Sequence, residues 1–76
     1  MRYTIRKTFD VTDDQPDLWA VAAAHEYLEQ AVTWLRDEAR IQHLTNAYQD
    51  IGDEQAIAVI ELDDRDTALM LKLYLP

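Results

Sequence analysis

"RIQHLTNAYQDI", residues 40–51, is the stretch on which the fold turns. Ile41, Leu44, Tyr48 and Ile51 recur at three- and four-residue steps, the spacing of an apolar stripe on a helix. At about 100° per residue this stripe lies nearly opposite an earlier one, formed by Leu18, Val21, His25, Leu28, Val32 and Leu35. Gln42, His43, Asn46 and Asp50 take over the earlier face. The spacing therefore predicts a second helical stretch that ends at Gly52, the only glycine, where a left-handed C′ residue would close a helix.

A straight helix from Pro16 to Asp50 would measure on the order of 50 Å at 1.5 Å per residue, against about 30 Å for the strand that precedes it. Either the chain bends near residues 36–40 so that both stripes reach one core, or it stays straight. In the straight form the distal stripe, with Trp34 and Tyr27 on its side, docks on another subunit. No glycine or proline marks a break there.

Working outward, "RYTIRKTFDV", residues 2–11, alternates. Tyr3, Ile5, Phe9 and Val11 fall on one side and Thr4, Arg6, Thr8 and Asp10 on the other, the period of a half-buried strand. "TDDQPD" then supplies capping carboxylates at Asp13 or Asp14, a first-turn proline and a dipole-favoured Asp17, so a helix starts near Pro16. Beyond Gly52, "EQAIAVIEL" reads as a strand with two apolar faces. "DDRD", residues 63–66, reads as a polar turn, and "TALMLKLYL" as the other half of a hairpin, although Ala, Leu, Met and Lys also form helices.

The expected architecture is a single α+β domain spanning 1–76, in the order β-α(-α)-β-β. Helices cover one face of a three-stranded, mainly antiparallel sheet. The other face is left open, and a second copy covering it makes homodimerisation the expected state.

With 76 residues, the chain buries only roughly 60% of its unfolded surface. The absence of cysteine removes disulfides and the usual structural zinc sites, so no metal and no cofactor is expected. A net charge of −8 argues against direct nucleic-acid or anionic-membrane binding, both of which need Lys and Arg. The same charge steers a basic partner toward the protein, although it also serves solubility. There is no basic leader, long apolar run or lipidation signal, so the expectation is a cytoplasmic protein.

The candidate site is acidic. If the helical region is one rod or a gentle bend, Asp13, Asp14 and Asp17 meet Asp63, Asp64 and Asp66 at one edge, with Asp10 and Glu61 just below. A helical region that doubles back sends the two groups to opposite ends, and capping and turn duty is the alternative role for the same residues. Trp34, Tyr27, Ile41 and Tyr48 are the candidate interface residues, since aromatics bury large area at small entropic cost. "DDRD" has neither the glycine nor the ligand spacing of a calcium loop. His25 and His43 are the only imidazoles, and neither serine nor cysteine occurs, so no enzymatic activity is expected.

A short, cysteine-free, acidic domain edged by "DVTDDQPD" and "ELDDRDT" resembles, in size and composition, the small inhibitors made by phages and other mobile elements, including nucleic-acid mimics of the anti-CRISPR kind. The resemblance implies carboxylates standing in for phosphates in the Lys and Arg groove of a nuclease or CRISPR-type complex. For a phage-encoded protein it implies the host cytoplasm.

Overall fold

The computed structural model describes residues 1–10 and 17–76, and the side chains of all of these but Asp17 and Leu18. The elements are β1 (Tyr3–Asp10), α1 (Asp17–Asp37), a single 3-10 turn (Ile41–His43), β2 (Leu44–Ile51), β3 (Gln55–Leu62) and α2 (Arg65–Tyr74). The α+β class and the three-stranded antiparallel sheet are as expected, with strand order β1-β3-β2. Two segments differ in kind: residues 44–51 form a strand rather than a second helix, and 65–74 form a helix rather than a third strand.

α1 stops at a motif that carries no glycine. Ala39 takes the left-handed conformation at φ 57, its N–H donates to Arg36 O at 3.1 Å, and Arg40 N–H donates to Leu35 O at 2.7 Å. These two bonds make a Schellman closure with alanine at C′. Neither sequence alternative holds, because the chain leaves the helix outright here instead of bending or running on. Gly52 has no positive φ and closes no helix. It begins the turn between β2 and β3, its N–H donating to Gln55 O at 2.9 Å.

The missing alternation in 44–51 has a local cause. Leu44 pairs with Leu62 and Asn46 with Glu61, so Thr45 is an extra residue that bulges from the ladder. The bulge puts Leu44 and Ala47 on the same side of the sheet and breaks the period of two, while the expected stripe is divided: Leu44 and Ile51 fall on the helix face and Tyr48 on the other.

Both helices lie on one face of the sheet. There Ile5 of β1, and Ala56, Ala58, Ile60 and Leu62 of β3, join Ala20, Ala24, Tyr27, Ala31 and Leu35 of α1 and Ala68 and Leu71 of α2 in one buried cluster. The buried stripe of α1 is therefore rotated from the expected one: His25 is exposed and the small alanines face inward. Small residues on α1 and β3 let the helix settle close to the sheet, a packing that a search for large apolar residues overlooks. Leu35, Ile60, Leu62 and Leu71 are the largest side chains wholly enclosed between the layers.

Among the described residues no helix packs on the opposite face. Val59, only 1% exposed, belongs to no part of the main cluster and sits in register between Arg6 of β1 and Tyr48 of β2.

Candidate functional site

Chain direction decides where the acids go. β1 and β3 run antiparallel, with Tyr3 opposite Leu62 and Asp10 opposite Gln55. Asp10 is thus at one end of the sheet, and Glu61, Asp63, Asp64 and Asp66 are at the other. Of the described acids, Asp10 and Asp17 do not meet Asp63, Asp64 and Asp66. Because 44–51 is a strand, the chain makes one more reversal and β3 descends away from Asp10. α1 also begins at the Asp10 end, since its closing turn lies beside Asp64 and Thr67, so Asp17 is with Asp10 rather than with Asp63. Asp13 and Asp14 lie outside the described residues.

The β3-α2 corner is internally bonded. Asp64 caps α2: the Thr67 N–H and hydroxyl both donate to its Oδ2, at 3.0 and 2.6 Å. Arg40 Nη1 donates to Thr67 Oγ1 at 2.9 Å and lies 3.7 Å from Asp64 Oδ2. His43 Nδ1 is 3.0 Å from Asp63 Oδ1, and Asp63 N–H donates to His43 O at 3.0 Å. Glu61 pairs with Arg2 at 3.4 Å. The hydrogen bonds from Thr67, helped by the charges of His43 and Arg40, hold the Asp64 carboxyl below its ordinary value. "DDRD" is therefore a helix start, and Asp63 and Asp64 of it, with Glu61 before it, fix the corner, while Asp66 is exposed.

The other end is different. Asp50, Asp53 and Glu54 frame the β2-β3 turn next to Asp10, all four exposed and none in an ion pair among the described residues. No lysine or arginine lies in 50–55 or at the end of β1. Asp50, Asp53 and Glu54 were missed as site residues because "DIGDE" read as a helix end; read as a hairpin turn it places them against Asp10.

The aromatic candidates separate as well. Tyr27 is a core residue, 7% exposed, with its ring edge-on to Phe9 at 5.8 Å, and burial pushes its hydroxyl above the ordinary tyrosine value. That corrects its assignment to an interface. Trp34 stacks on Tyr74 of α2 at 5.8 Å and is half-buried. Ile41 is exposed on the 3-10 turn, and Tyr48 is exposed on the uncovered sheet face. Leu69, Met70, Leu73 and Tyr74 are also exposed, on the outer side of α2.

A groove of about 560 Å³ lies between α1 and β2 and includes His25, Glu29 and Arg36. His25 Nε2 is 3.0 Å from Glu29 Oε1, with both side chains about two-thirds in solvent at 65% and 67%. Nothing there shields a reacting group from water. Among the described residues, no three His, Asp or Glu side chains are gathered as a metal cage, and no helix is long and apolar enough to cross a membrane.

These features define a small β-α-β-β-α domain with helices on one sheet face and acids sorted to two ends. No protein-family model, curated protein or solved structure matches the chain.

Proposed function

We propose that this is a non-enzymatic interaction protein whose acidic pole, formed by Asp10, Asp50, Asp53 and Glu54, binds the basic surface of a nucleic-acid-handling partner and competes with its nucleic acid. One observation carries the reading: four exposed carboxylates share one end with no ion pair among the described residues, while at the other end Glu61, Asp63 and Asp64 are bonded into the corner and Asp37, Glu38 and Asp66 stay exposed. Crowding like charges costs stability. A socket of Lys and Arg turns that cost into affinity and faster encounter.

The test is capture from a lysate of the source cells at low and at high salt, comparing the native protein with the variant Asp10→Asn, Asp50→Asn, Asp53→Asn and Glu54→Gln. The expected result is one basic partner, lost at high salt, lost in the variant, and displaced by added DNA or RNA. Capture that ignores both salt and the variant contradicts the proposal. A second reading rests on the exposed Leu69, Met70, Leu73 and Tyr74, which suit an assembly module that pairs through α2. It predicts loss of self-association on Leu73→Glu in sedimentation, with no dependence on salt.

A further inference from the structure

The seven basic residues are sorted too. Arg2, Arg6, Lys7, Arg65 and Lys72 lie on or next to β1 and α2, which leaves only Arg36 and Arg40 elsewhere. α2 runs alongside β1: Arg65 at its start shares a groove with Arg2 and Tyr3, and Pro76 just beyond its end lines a second pocket with Phe9. The groove between the two elements holds about 340 Å³. Its charged lining is Arg2, Arg65 and Lys72, and its apolar lining includes Ile5 and Leu69, with no carboxylate among them.

Two further facts bear on what would lie there. Among the described residues Arg65 and Lys72 form no ion pair, Glu61 is engaged by Arg2 and Asp64 by Thr67 and Arg40, and the exposed Asp66 is not part of the groove lining. β1 is also an edge strand that pairs with β3 alone, so its outer side offers a row of backbone donors and acceptors without partners in the sheet.

We propose that this groove takes an extended acidic segment of a partner polypeptide, which joins the sheet as a fourth strand along β1 and sets its carboxylates against Arg65 and Lys72. A strand laid about 4.8 Å from β1 bonds through its backbone. Every second side chain turns toward α2, where Leu69 and Ile5 select an apolar residue and the two cations select an acid. The charges act locally, since beyond a Debye length of about 8 Å the net negative charge of the protein is screened.

The probe is a labelled eight-residue peptide with Thr at alternate positions and Glu, Val, Glu, Val between them, titrated by fluorescence anisotropy. Saturable binding is expected, with slowed amide exchange in β1. Weakening of about tenfold or more is expected with Arg65→Glu plus Lys72→Glu, and a similar loss when the peptide backbone is N-methylated on its bonding edge. The proposal is overturned by no saturation up to about 1 mM, by equal binding of the same peptide with Lys for Glu, or by indifference to the two substitutions. An oligothymidylate that binds the groove more tightly than the peptide would assign it to phosphate instead. Sedimentation showing β1 already closed by a second copy would also refute it.

Discussion

At the scale of single residues, two positions set the chain's course. Ala39 carries a left-handed backbone that an L-residue with a Cβ adopts at a cost. Ala39→Gly is expected to raise stability by about 0.5–1 kcal/mol in urea unfolding, a gain that an ordinary exposed alanine in a helix would convert to a loss. Asp64 is the other. Its folded carboxyl titrates below the ordinary value because Thr67 donates two hydrogen bonds to it. Its contribution is therefore complete above the pH at which an unstructured aspartate titrates, and is lost as pH falls through that value toward the lower folded one. Thr67 is wholly buried, and Thr67→Val removes the hydroxyl's bond to Asp64 and the acceptor for Arg40 while keeping the backbone N–H bond. That variant should lose about 1–3 kcal/mol and show a shallower loss of stability between neutral and acid pH than the native protein. An unchanged acid limb would refute the assignment. Neither residue was legible from type alone: alanine gives no sign of a helix stop, and "DDRD" serves equally for a turn or a cap.

At the scale of elements, packing and one inserted residue outweighed periodicity. β1 and the start of α1 were legible, since strict alternation and a proline beside aspartates have few other readings. The Thr45 bulge hid the alternation of β2, leaving apolar residues that fall on both faces to read as a stripe, and Leu-rich α2 passed for a strand because alternating Leu69, Leu71, Leu73 and Leu75 also satisfy a helix with one buried side. Only Leu71 and Leu75 of these are buried. The seam of alanines between α1 and β3 makes its own prediction. Ala24 is wholly buried, so Ala24→Leu should cost about 1–3 kcal/mol by forcing helix and sheet apart, whereas a solvent-facing alanine would tolerate the change. Gly52 gives the complementary case. A Cβ there meets Gln55 Cγ at 3.6 Å, an ordinary contact, so Gly52→Ala should shift the unfolding free energy by no more than about 0.5 kcal/mol. A glycine closing a helix in the left-handed region would lose considerably more.

At the scale of the whole molecule, the sheet order sorts charge. The sequence carried the sheet, the class and the acidity. Which acids share an end depended on the number of chain reversals between them, and that number changed when residues 44–51 proved to be a strand. The result is a free acidic pole at the β2-β3 turn, a bonded corner at the far end, and a basic groove along β1 and α2. The most direct measurement of this arrangement uses the absence of native cysteine. Asp10→Cys and Asp66→Cys, each spin-labelled, bracket the length of β3 and can be read by pulsed electron paramagnetic resonance. Eight residues of strand predict a separation of about 25 Å or more. A distance of about 15 Å or less would bring the two acidic stretches together and contradict the sorting on which the proposed function stands.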